Sequence, residues 1–137
     1  MRQVLAQDKQ SIVASCTSLV QEDDAIVVEF AMAVLANLVA GSYSIKDEIA
    51  EQQSLPLIIK QLASADPDTK KHALVCLLSL AADFEVRGMI GELDAAAAAI
   101  GLITSEYPII QQLALNLCSV LCHEPNAGTA SLTYELF

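Results

Sequence analysis

Cys118, Cys122 and His123 form a Cys-x3-Cys-His string, the densest grouping of metal-ligating side chains in the chain. Zinc closes its shell with four ligands, and no fourth stands near them in the sequence, so no metal site is expected. His72, flanked by Lys70 and Lys71, is the other side chain suited to acid–base work near neutral pH. A catalytic His needs an orienting carboxylate and a nucleophile. No Ser, Cys or Asp here has the context of a catalytic motif, so a surface His is the simpler reading. Cys76 reads as a small buried hydrophobe, and Cys16 carries no signal. No catalytic residue and no cofactor site is assigned, and a non-enzymatic chain is expected.

Whatever chemistry the chain performs must come from the elements that present side chains to a partner. Its 137 residues are about one domain, long enough to bury a core without disulfides or metals. Fifty-four per cent is hydrophobic but only 4% aromatic, with no Trp; the apolar mass is Ala, Leu, Ile and Val, which favours helices. Seven Lys and Arg against seventeen Asp and Glu give a net charge of −10, which repels phosphate backbones and makes nucleic acid an unsuitable partner. The first ten residues lack the apolar stretch of a secretory signal. The most apolar segment, Ala25 to Gly41, contains Glu29 and Asn37 and is shorter than the roughly 20 residues that cross a bilayer. No membrane span is expected. Four Cys in such a chain are reduced in the cytoplasm, or in the nucleus, where thiols stay free.

Three segments superimpose on one another: Ala31-Met-Ala-Val-Leu-Ala-Asn-Leu38, Ala73-Leu-Val-Cys-Leu-Leu-Ser-Leu80 and Ala114-Leu-Asn-Leu-Cys-Ser-Val-Leu121, at spacings of 42 and 41. Such a period marks a repeat architecture. Before each lies a polar break, at Glu22-Asp23-Asp24, Asp66-Pro67-Asp68 and Ser105-Glu106-Tyr107-Pro108, where Asp or Ser can cap a helix and Pro is tolerated in its first turn. Ile49 to Ile58 also aligns with Ile90 to Ala99 at a shift of 41. The predicted helices run over 10–21, 24–40, 44–51, 55–64, 67–82, 85–91, 95–104 and 107–122, and no β alternation of useful length occurs. The third helix of each triplet reads as apolar nearly all round, as a helix between two neighbours should.

These features resemble the armadillo repeats: a period near 42, three helices per repeat, the junction Ile49-Ala-Glu-Gln-Gln-Ser-Leu-Pro56 and the stretch Ala31 to Leu38. HEAT repeats are the rival, supported by Leu55-Pro56 and the Asp66 to Lys70 spacing; the short extra helix at 44–51 favours armadillo. The resemblance implies an all-α, right-handed α-solenoid of about two and two-thirds armadillo-type three-helix repeats. Its parts are a polar lead-in at 1–10, a repeat domain at 11–122 (a partial repeat at 11–41, then repeats at 42–83 and 84–122) and a tail or truncated next repeat at 123–137. The family's junction Gly is replaced by Gln53 and Asp94; Asp accepts a left-handed backbone at modest cost, Gln less readily.

In the family the third helices line a concave groove, where some members clamp an extended peptide with a ladder of Trp and Asn. The Asn place falls on Asn37, Ser79 and Val120 and the Trp place on Ala33, Val75 and Asn116; an outer place, one turn earlier, holds Glu29, Lys71 and Gln112. Only Asn37 matches, and the absence of Trp argues against importin-alpha-like binding of localisation signals. The expected function is a protein-interaction module or scaffold that binds a protein or extended peptide through the groove or the end faces. The alternative is an armadillo-like exchange factor gripping a chaperone ATPase domain or a small GTPase. From Asp83 onward seven acidic residues face Arg87 alone. That excess would steer a basic partner, although ordinary solubility charge is the simpler explanation. A solenoid this short leaves its terminal faces uncapped, covered by further repeats, a partner or a second copy in a homo-oligomer. If the tail docks at the last repeat, Tyr134, Leu136 and Phe137 are its anchors.

Overall fold

Asp and Pro set the helix boundaries. A computed structural model describes residues 12–41, 45–51 and 53–122; the lead-in at 1–10, residues 42–44, His123 and the tail with Tyr134, Leu136 and Phe137 lie outside the described residues. The helices are α1 (12–19), α2 (Ala25–Gly41), α3 (Ile45–Glu51), α4 (Leu55–Lys60), continued by a 3-10 turn at Gln61–Ala63, α5 (Pro67–Leu80), α6 (Phe84–Glu92), α7 (Ala95–Leu102) and α8 (Pro108–Cys122). The Asp24 carboxylate accepts from the amides of Ile26 and Val27 at 2.9 and 3.4 Å. Asp66 accepts from the Asp68 amide at 3.3 Å and from the Thr69 hydroxyl at 2.8 Å, and Asp83 from the Val86 amide at 3.1 Å. Each bond satisfies an amide that the first helical turn leaves without a partner. Pro67 and Pro108 open α5 and α8, where a missing N–H removes nothing.

The architecture is an all-α solenoid: α2, α5 and α8 stack in succession, and α4 and α7 back them. Ala31, Ala73 and Ala114 are buried, and small side chains at this repeated place let the stacked helices approach closely. Leu35, Leu77 and Cys118, one turn further on, are also enclosed. Cys118 therefore packs as a hydrophobe, as the repeat alignment expects. The second layer obeys the same period, with Val13 and Cys16 on α1, Leu55 and Ile58 on α4, and Ala96 and Ala99 on α7 all buried.

The α1 and α4 layers are joined through a polar contact. The Thr17 hydroxyl gives its proton to the Val13 carbonyl at 2.8 Å, so the buried Ser54 hydroxyl, 2.7 Å away, must be the donor to Thr17. Both groups are then satisfied where an unpaired hydroxyl would be costly.

Gln53 and Asp94 occupy the left-handed region, with φ of 56° and 60°. At Gln53 the amide bonds the Ala50 carbonyl and the next amide, of Ser54, bonds the Ile49 carbonyl, the paired bonds of a Schellman turn whose left-handed residue is usually Gly. The inter-helix turn is therefore kept despite the substitutions. Gln53→Gly is expected to stabilise the fold by about 0.5–1 kcal/mol, because relief of the left-handed penalty of about 1–2 kcal/mol outweighs the added freedom of the unfolded chain. Asp94→Gly should gain less, since Asp tolerates the region better. Thermal unfolding followed by circular dichroism ranks the two.

The expectation of third helices that are apolar all round because they sit between two neighbours fails for α2. Ile26, Phe30 and Val34 are 66%, 64% and 40% exposed. They form one stripe at four-residue spacing, and among the described residues α2 stacks on one side only, against α5. Cys76, at the place equivalent to Val34, is fully enclosed because α2 covers that side of α5.

Candidate functional site

Each stacked helix divides into rows set by its 3.6-residue turn. Of its four rows, one turns toward the preceding helix, one toward the following helix, one is buried at Ala31 and Leu35 and their equivalents, and the fourth stays open. The open row contains Glu29, Ala33 and Asn37 on α2, Lys71, Val75 and Ser79 on α5, and Gln112, Asn116 and Val120 on α8. Asn37, Gln112 and Asn116 are exposed and the other six are partly buried, none of them enclosed. The sequence alignment therefore places all its groove candidates on accessible positions of three consecutive helices. The Asn37 amide offers both donors and an acceptor from such a position.

At the α2 end of this row the structure adds residues that sequence reasoning treated only as a helix start. Carboxylate oxygens of Glu29, Asp66 and Asp68 lie within 4.8 Å of one another. The signal was present in the repeat period: position 71 stacks beside 29, so the first turn of α5 falls within side-chain reach of Glu29. Partial burial and the neighbouring negative charges of Asp66 and Asp68 push the Glu29 carboxyl above the ordinary Glu value. The Thr69 hydroxyl, with the amide bonds of the helix cap, holds Asp66 below its ordinary value. Glu29 thus takes up a proton before Asp66 does. An open cleft of about 480 Å³ lies alongside, lined by Ala25, Ile26, Glu29, Ala65, Asp66 and Pro67.

Three carboxylates suit a hard cation or the head group of a Lys or Arg side chain. Asp66 already spends both oxygens on the α5 cap, which weakens the trio as a metal cage. A basic side chain needs only the net negative potential and the outward-facing oxygens. Among the described residues this is the one grouping of three His, Cys or acidic side chains close enough to share an ion.

The other chemical candidates are dispersed. His72 is partly buried, not fully on the surface; burial and the Lys71 charge lower its pKa, partly opposed by Asp68 and Asp66. Cys16, Cys76, Cys118 and Cys122 are all free thiols. Burial raises the pKa of Cys118, with Cys122 adding to it, so the thiolate that metal binding requires is disfavoured there. A second cleft, of about 250 Å³ and mainly apolar, lies between the α3–α4 and α6–α7 turns, lined by Ala50, Leu55, Pro56, Met89 and Leu93 with Gln53 and Glu92 at its edge.

No protein-family profile matches the chain, and no curated protein sequence does. Solved structures do match. A designed armadillo repeat protein superposes with a TM-score of 0.74 at 24% identity, over 80% of this chain and 46% of its own. The fold is an armadillo-type solenoid. Another designed armadillo repeat protein, in complex with the peptide (KR)4, gives a TM-score of 0.80 at 17% identity over 90% of this chain and 52% of its own. An engineered protein gives 0.80 at 20% identity, over 90% and 50%. The chain spans about half the length of these structures. Among its described residues no helix is long and apolar enough to cross a membrane.

Proposed function

We propose that this protein is a non-enzymatic interaction scaffold that holds an extended, basic peptide segment along the open rows of α2, α5 and α8. The observation that carries the reading is the juxtaposition of Asn37 in the open row with the Glu29, Asp66 and Asp68 carboxylates at its end. Asn37 would bond the peptide backbone. Glu29 with Asp68 would receive a Lys or Arg side chain, and Ala33, Val75 and Ser79 leave room for the chain between. Lys71, Gln112 and Asn116 form the edge and the far end. The complex of a designed armadillo protein with (KR)4 supports a solenoid of this type accepting such a ligand. The four free thiols fit a cytoplasmic or nuclear setting.

Fluorescence anisotropy with a labelled peptide of alternating Lys and Arg tests the assignment. Glu29→Ala combined with Asn37→Ala should weaken binding at least about tenfold, roughly 1.4 kcal/mol, with little loss of stability. Glu92→Ala, which removes the same charge from the exposed end of α6, should change it far less. Affinity should also fall as pH is lowered through the raised Glu29 pKa, since the protonated carboxyl no longer attracts the cation. Equal affinity for the double variant and the Glu92 control would remove the peptide from this groove.

A further inference from the structure

Among the described residues, the repeat register makes the outer faces of the first and last stacked helices complementary to each other. The row of each stacked helix that turns toward its predecessor is Ile26, Phe30 and Val34 on α2 and its equivalents Asp68, His72 and Cys76 on α5 and Ile109, Leu113 and Leu117 on α8. On α5 and α8 the last two places of that row are partly or fully covered, while on α2 all three are exposed. The row that turns toward the following helix shows the reverse. Met32 and Leu74 are 0% exposed, and the equivalent Leu115 on α8 is 47% exposed, between the exposed Gln111 and Ser119.

The second layer repeats this asymmetry. Ser54 on the leading side of α4 meets Thr17 on the trailing side of α1. The places equivalent to this pair at the two ends are Ile12, which is exposed, and Ile100, which is partly buried. One end thus displays the leading half, and the other the trailing half, of an interface the chain already forms twice inside itself.

We propose that this chain associates head to tail with further copies of itself, the α2 face of one copy stacking on the α8 face of the next as α5 stacks on α2. Phe30 then covers Leu115, and Ile12 meets Ile100 where the internal interface has Ser54 and Thr17. Such an interface is heterologous, so it propagates rather than closing at a dimer. It uses the end faces and leaves the open rows accessible, so it stands or falls independently of peptide binding.

Light scattering over a concentration series should show a mass that climbs past twice the 14.6 kDa monomer without a plateau at the dimer. Phe30→Asp and Leu115→Asp, both at exposed sites, should each remain helical and each return the chain to monomer, whereas an equimolar mixture of the two should form a heterodimer through its one remaining pair of intact faces. If either variant loses its circular dichroism, Val34→Asp or Ser119→Asp replaces it. A monomer at every concentration overturns the proposal. So does loss of assembly with Phe30→Asp but not with Leu115→Asp, which would mean two like faces meeting.

Discussion

Leu77→Asp is expected to abolish the cooperative helical fold. Leu77 is fully enclosed in the middle of α5, the stacked helix with neighbours on both sides. A carboxylate there would be placed inside the apolar core cluster that includes Leu35, Ala73, Cys76 and Cys118. An unpartnered buried charge costs several kcal/mol, comparable with the whole stability of a small domain, about 5–15 kcal/mol. Circular dichroism at 222 nm should show lost helicity or a melting transition lowered by tens of degrees. The control is Leu115→Asp. Position 115 repeats the enclosed position 74, yet its exposure lets water solvate the charge, so helicity should survive. A folded Leu77→Asp protein would contradict the repeat alignment.

The second large effect concerns thiol reactivity. Burial pushes the Cys76 pKa up to about 12 from the ordinary 9.0. Near pH 8 that alone cuts its reactive thiolate about a thousandfold, before any steric protection is counted. Under native conditions iodoacetamide should modify the partly buried Cys122 well before Cys76, and Cys76 should react only at the rate at which the helices open. Peptide mass spectrometry after timed quenching separates the sites. The same displacement makes the fold sensitive to alkali. The unfolded chain releases the thiol proton near pH 9 while the folded chain retains it, so between pH 9 and 12 the folding equilibrium constant should fall up to about tenfold per pH unit. Below pH 9 the effect vanishes. Cys76→Ala should flatten that slope, and an unchanged slope would assign the alkaline loss to other groups.

Helix positions were largely legible in the sequence because local chemistry punctuates them. Asp24, Asp66 and Asp83 bind first-turn amides as caps, and Pro67 and Pro108 stand at helix starts. The replaced junction glycines also pointed correctly to turns, since Gln53 and Asp94 retain the left-handed backbone. Uncapped end faces were expected from the repeat count, but that Ile26, Phe30 and Val34 would form the exposed stripe was not legible. Apolar periodicity records what a helix is able to bury, whereas actual burial on α2 depends on whether a helix stands beside it. The carboxylate trio was legible only in part, since the repeat period sets the first turn of α5 beside Glu29 without saying how closely the carboxylates approach. Glu29 is far from Asp66 and Asp68 in sequence, and their meeting depends on the lateral offset between α2 and α5, which composition does not encode. Asn37 was found by position within the repeat, a signal that stacking preserves.

The division of each stacked helix into a leading, a trailing, a buried and an open row separates two kinds of inheritance. Substitutions at 33 and 37, or at 71 and 79, alter what the surface offers to another molecule without removing a side chain from the core between repeats. Changes at 32, 35, 74 or 77 do the opposite. Drift in recognition is thereby uncoupled from drift in stability, and a lineage can exchange one side chain at a time along the open rows while the stack beneath them stays under independent selection.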